Sequence, residues 1–325
     1  MTAEPYTLFK SVTYLHKDDV TNNLVNGVVD FFRWGFLNVG GYQNITRSPA
    51  ISGVYGGNRS KLAPVADADL NGKVWQGFRS DWVWESGVNF YPQPQPAKVY
   101  VGGSPALPTS GSYQHYIDYP RGRVVFNTTQ SSSLNIEADF AHRTVSIFNA
   151  RSNPIVQELM FNSFAVERDD FQVSGSGNWN QKANDIRRQL PLIGVEAVGG
   201  SPAYYPFEIG GGSQVATQDL IFHIFSENDY DLSQITDTVS KQNDKTIWLI
   251  DRSAMKADSR YPVGVDYKGR VVSSPITYPS LVADVSGFKW RTSSFSHAKV
   301  KYLPTVNNWL YRSTVRITCE VVVPQ

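Results

Sequence analysis

Cysteine is almost absent: Cys319 is the single one among 325 residues. One thiol excludes an internal disulfide, and it excludes a zinc site unless three other ligand types converge on it. Charge is sparse as well. Charged residues make up 18% of the chain, below the usual quarter, with 30 Lys and Arg against 29 Asp and Glu. A net charge of +1 argues against strong nucleic-acid binding, which calls for a basic excess or stripe. The densest basic stretch, Lys289 to Lys301, alternates with Ser and Phe as the outer face of a strand does. No apolar run reaches the ~18 residues of a membrane span, and the first ten residues, MTAEPYTLFK, lack a basic-then-apolar leader pattern. The expectation is a protein made in the cytosol, with no membrane partner. Catalytic signatures are also missing. There is no G-x-S-x-G elbow, no G-x-x-x-x-G-K-[ST] loop and no H-x-x-x-H pair. No metal, cofactor or catalytic residue is expected, and a non-catalytic role follows.

Aromatic residues are abundant, at 13%, and hydrophobic residues reach 41%, enough for one or two cores. The expected fold class is α+β and mainly β, with antiparallel sheets, a few short helices, long Gly/Pro-rich loops and an N-terminal amphipathic helix. Val20, Leu24, Val28, Phe31, Phe32 and Leu37 recur at helical spacing after a possible Asp18 or Asp19 cap, and Gly40-Gly41 marks the stop. Residues 44 to 108 read as a long loop region. It holds a tryptophan block, VWQGFRSDWVWE, and an extended stretch, YPQPQP. Then SYQHYIDY and a strand from Val124 form a hairpin, and residues 134 to 148 read as one long strand. A helix after Pro154 and a Gly/Ser/Asn loop at 173 to 185 follow. The domain boundary is expected near residue 150, giving 1–150 and 151–325. The second part reads as strands at 190–198, 215–225 and 246–250, a helix capped by Asp231, and two closing strands, 288–300 and 311–323. In the last of these Tyr311, Ser313, Val315, Ile317, Cys319 and Val321 share one face.

His16, His115, His142, His223 and His297 read as isolated structural histidines. Glu137 with Asp139, and Glu227 with Asp229, are the carboxylate pairs worth testing for glycoside chemistry, with Trp75, Trp82 and Trp84 as possible sugar-stacking rings. That makes a β-rich carbohydrate-binding or glycoside-active protein the alternative. The preferred use of Trp75, Trp82, Trp84, Tyr204 and Tyr205 is as interface anchors, because such rings dominate contact energy. Filling a core is the competing use of Trp82 and Trp84.

The successions RRQLPLIGVEAVG, QDLIFHIFSENDYDLSQITDTVSKQNDKTIWLID and LYRSTVRITCEVVV resemble virion proteins of tailed phages. They are similar, more loosely, to the head–tail joining and tail-terminator group. The blocks VWQGFRSDWVWESG and SYQHYIDYPRGRVVF look like stretches of phage structural proteins. The resemblance implies a tail-terminator-like second domain and a homo-oligomeric ring at the neck. It also implies a portal or connector on one side, a tail tube on the other, assembly in the host cytoplasm and a final place in the virion. The long N-terminal part departs from small terminators, so collar, connector and sheath-associated positions stay open.

Overall fold

A computed structural model describes residues 20–47, 59–65, 67, 69–153, 156, 171–173, 179–181, 189–199, 202–206, 214–257, 264–307 and 310–323. The chain is mainly β, with antiparallel sheets and few short helices. The first helix, α1 (Val20–Asn38), is followed by β1 (Tyr42–Ile45), β2 (Ala63–Pro64), β3 (Val74–Gln76), β4 (Lys98–Val101) and β5 (Ser104–Ala106). Next come β6 (His115–Asp118), β7 (Arg123–Phe126), β8 (Ile136–Arg143), β9 (Ser146–Asn149), β10 (Phe171–Val173) and β11 (Trp179–Gln181). The C-terminal part holds β12 (Leu192–Ala197), β13 (Ala203–Pro206), β14 (Gln214–Ser226), α2 (Asp229–Ser240), β15 (Thr246–Ile250), α3 (Arg252–Ala257), α4 (Tyr278–Leu281), β16 (Lys289–Asn307) and β17 (Leu310–Val323).

Two cores result. Strands β1 to β8 form a small sandwich of two four-stranded sheets, β1-β8-β4-β5 and β2-β3-β7-β6. Ile136, Ala138 and Phe140 from the first sheet meet Trp75, Val124 and Phe126 from the second. The larger unit is a seven-stranded sheet ordered β15-β16-β17-β14-β12-β9, with β13 alongside β14. Its inner face, including Ile193, Phe222, Phe295 and Ile317, packs on α1 and α2.

The large sheet curls around α1. Asn26 accepts a hydrogen bond from Asn149 of β9 at 3.4 Å, while a Cβ added to its neighbour Gly27 would lie 3.0 Å from Leu249 of β15. Adjacent helix residues therefore reach both end strands. Six flat strands would hold those ends about 24 Å apart, more than twice the width of a helix. The helix fills the open seam of a half-barrel. It stops as the sequence suggests: the Gly41 N–H donates to the Phe36 carbonyl at 2.7 Å, and Gly40 takes a φ of 83°, which glycine adopts without a Cβ clash.

The two cores do not follow a division at residue 150. Helix α1 and β9 lie in the same core as β12, β14 and β17, so the sandwich is inserted between them. Pattern alone shows that the apolar stripe of α1 must be buried, and not against which partner. The expected strand over 134–148 is two strands in different sheets, because the chain turns at Thr144-Val145. The region 44–108, expected as loop, supplies five short strands. Within the stretch 173–185, expected as loop, Val173 ends β10 (Phe171–Val173) and Trp179–Gln181 forms β11, and the two strands pair. Helix α2 is capped by Asn228, whose side chain accepts from the Asp231 N–H at 2.7 Å; Asp231 lies within the first turn, where its charge suits the helix dipole. The Asp18/Asp19 cap and most of the helix after Pro154 lie outside the described residues. The closing hairpin matches its expected pattern, with Cys319 1% exposed on the inner face. Among the described residues no helix is long and apolar enough to cross a membrane.

Candidate functional site

The five aromatic anchors expected from the sequence separate into three environments. Trp75 and Trp82 are 2% and 1% exposed and belong to the sandwich core. Trp82 stacks on Phe140, with ring centroids 4.0 Å apart, and its Nε1 donates to the Arg79 carbonyl at 2.8 Å. Neither ring can meet a partner or a sugar without opening the core, so the anchor and sugar-stacking readings are corrected at both positions. Trp84 is half-buried and lines a cleft between α1, the 81–85 loop and α4. Tyr204 and Tyr205 are exposed on β13.

The register of the large sheet extends Tyr205 into a row. Tyr205 pairs with Val215, and Val215 pairs with Val322. The pairing of Ser293 with Val321 places Thr292 opposite Val322, and Thr292 pairs with Trp248. All five side chains point away from α1. Three of them, Tyr205 at 58%, Val322 at 43% and Trp248 at 41%, are large and exposed. Lys289 lies over the Trp248 ring, its Nζ 3.5 Å from the centroid. In the sequence Trp248 sits within TIWLI, which reads as a buried strand. The period of two decides otherwise: Ile247 and Leu249 face the core, so Trp248 faces solvent.

A second concentration of chemistry is buried where the sandwich meets the large sheet. Asp81 is its centre. Arg33 of α1 donates to Asp81 Oδ1 at 2.9 Å, Arg143 of β8 approaches the same oxygen at 3.4 Å, and Ser146 Oγ donates to Oδ2 at 3.0 Å. Arg143 also pairs with Glu85, and Arg252 pairs with Asp30 at 2.7 Å. Burial opposes the charge of Arg33, yet Asp81, then Glu85 and Asp30, outweigh it and hold the guanidinium above its usual value. Beside them, burial raises the Tyr278 hydroxyl, with Asp30 adding to the shift. Three carboxylates thus meet three guanidiniums, and the formal charges cancel. The adjoining cleft holds about 150 Å³, below the ~300 Å³ at which ligand pockets usually begin. A neutral cluster beside so small a space is a joint between two units. Removing one partner from it strands a buried charge. The sequence signal for it was a charge inside an apolar pattern: Arg33 between Phe32 and Trp34, and Arg143 within FAHRTVSIF.

The remaining candidates are structurally engaged. Glu137 and Asp139 share a buried face of β8. Asp139 accepts from the Arg47 N–H at 2.7 Å and from the Tyr100 hydroxyl at 2.9 Å. Asp229 opens α2, next to its cap. His115 and His142 are buried, and His223 bonds Glu196 at 3.0 Å. Burial pushes the His142 imidazole down to about 4 and the Cys319 thiol up. Among the described residues no group of three His, Cys, Asp or Glu could hold a metal. No family model matches the chain, and no curated protein matches it.

Proposed function

We propose that this chain is a non-catalytic structural subunit of a tailed-phage virion, a ring-forming protein of the head–tail neck or tail-terminator kind. The observation that carries the reading is the exposed row from Tyr205 through Val322 to Trp248 across the outer face of the large sheet. An exposed row with the rings of Tyr205 and Trp248 at its two ends and Val322 between them suits burial against another protein, where each such ring is worth about 2 kcal/mol or more. The row begins at β13, a strand of four residues alongside β14. The resemblance of the C-terminal segments to phage virion proteins supplies the kind of assembly. A ring needs different faces that meet head to tail and close by rotation.

Light scattering on the purified chain, with negative-stain imaging, tests this. The expected result is a closed oligomer that Tyr205→Ser with Trp248→Ser converts to monomer, without loss of the folded circular dichroism spectrum. A wild-type chain that stays monomeric at high concentration, alone and with a portal or tail-tube protein, refutes it.

A further inference from the structure

Three stretches of the chain hold no Asp, Glu, Lys, Arg or His: residues 34–46, 86–97 and 271–283. At 18% charge overall, each would hold about two charges by composition alone. The fold gathers the three at the C-terminal end of α1. Asn38 ties the first to the second: its Nδ2 donates to the Trp34 carbonyl at 3.0 Å, and its Oδ1 accepts from the Asn89 N–H at 3.1 Å. Trp34 and Gly87 then meet the third stretch, at Pro275, Ile276 and Pro279, around a groove of about 450 Å³.

This surface is apolar and open. Val39, Phe90 and Tyr91 are 64%, 44% and 87% exposed. Phe90 lies against Gly40, where an added Cβ would be 2.7 Å from its ring. The groove walls are open too: Pro275 and Pro279 are exposed, and Trp34 and Ile276 are half-buried. The segment that carries the rings is fixed in place. The Tyr42 hydroxyl donates to the Pro92 carbonyl at 2.6 Å, Asn44 Nδ2 donates to the Gln93 carbonyl at 3.0 Å, and Asn44 Oδ1 accepts from the Gln95 N–H at 2.9 Å. An exposed apolar knob, held rigid beside a groove, has the character of the core of a protein interface, where charges are depleted. Its fixed geometry lowers the ordering cost of docking.

Charge and position select the occupant. A charged partner would lose its hydration here and find no opposite charge. The row of Tyr205, Val215, Val322, Thr292 and Trp248 is uncharged in the same way, and Lys289 at its margin is already paired with Asp284. The two surfaces lie on opposite sides of the half-barrel. Helix α1 closes the seam between β9 and β15. Val322 and Val215 belong to β17 and β14, the middle strands of the sheet, which form the wall across from that seam. Surfaces on opposite sides join head to tail, as a ring requires, whereas a row docked on a row would stop at a dimer.

We propose that the Tyr205–Val322–Trp248 row of one copy docks on the uncharged face at the C-terminal end of α1 in the next copy, with a ring of the row entering the groove beside Trp34. The proposal rests on the assembly reading and supplies the second face that a head-to-tail contact needs. A mixing experiment, read by size-exclusion chromatography with light scattering, tests it. One variant breaks the row, Tyr205→Ser with Trp248→Ser. The other breaks the face, Val39→Ser with Tyr91→Ser, both at exposed positions. Each variant alone is expected to be a monomer with the wild-type circular dichroism spectrum. An equimolar mixture is expected to give a one-to-one dimer and nothing larger, because one intact row meets one intact face and only broken surfaces remain. The proposal is overturned if the face variant still forms the wild-type oligomer, or if the mixture of the two folded variants stays monomeric. A wild-type chain that never assembles refutes the assembly reading itself; an assembled wild type with an equally assembled face variant refutes only this choice of counter-surface.

Discussion

Acidification from pH 7 to pH 5 should weaken the fold chiefly through His142. The imidazole is 3% exposed, beside Phe78 and Phe140 at centroid distances of 5.4 and 6.3 Å. Its Nδ1 donates to the Arg143 carbonyl at 3.0 Å. Burial, reinforced by the positive charges of Arg79 and Arg59, moves its pKa from 6.5 to about 4. The unfolded chain takes up a proton near 6.5, whereas the folded chain resists until about 4. Above 6.5 both states are neutral and the residue contributes nothing to the pH dependence. Below it, proton uptake favours the unfolded state, and the loss stops growing below the folded value. Between pH 7 and pH 5 the ratio of binding factors changes roughly twentyfold, which is about 2 kcal/mol. Most carboxylates stay ionised in that window, so the histidine contribution stands apart from general acid unfolding. His115, also lowered by burial, adds a contribution of the same sign. Urea midpoints at half-unit steps from pH 7 to pH 5 should fall for the wild type. His142→Asn keeps a donor for the Arg143 carbonyl, and its slope should be much flatter, whatever its absolute stability. Parallel slopes for the two proteins, or a flat wild type, would refute the assignment.

Other perturbations have outcomes fixed by the same structure. Arg143→Met leaves Asp81 and Glu85 short of a buried cation and should cost about 3–5 kcal/mol in urea unfolding; adding Glu85→Gln should recover part of it, and no recovery would contradict the charge-balance account. Gly264→Ala forces a Cβ into the Trp84 ring at a φ of 76° and should cost about 2 kcal/mol or more, read as a lower melting temperature. Cys319, buried with its thiol raised by burial, should resist thiol reagents in the native chain and react once the chain is unfolded.

Periodicity made much of the fold legible. The stripe of α1, the β6–β7 hairpin and the alternating face of β17 were all readable, because each depends on spacing within one segment. Which core receives a segment was not. The face of α1 is equally apolar whether it packs in the sandwich or in the large sheet, and only contacts distant in sequence, Phe32 with Phe222 and Phe295, decide it. The same holds for the tryptophans. Trp75 and Trp82 read as anchors because the segment around them is rich in Gly, Pro and Ser. A short β3 and a loop suffice to carry both into a core, where Trp82 meets Phe140. The Asp81 cluster draws its charges from α1, β8, α3 and the loop between β3 and β4; a local pattern marks Arg33 and Arg143 as charges within apolar stretches, and none announces that they meet.

The seating of α1 between β9 and β15 also sets an order of events during synthesis. The sandwich is complete once Arg143 has been made, and its strands are close together in the chain. The helix precedes it, yet cannot cover its apolar stripe until β16 and β17 exist, because they join β15 to the sheet and β16 carries Phe295, which stacks on Phe32. A ribosome-bound chain therefore carries a greasy, unsatisfied N-terminal helix past an already folded sandwich for most of translation. Its stripe is covered only when β16 and β17 complete the sheet, and until then it is a surface that chaperones can bind.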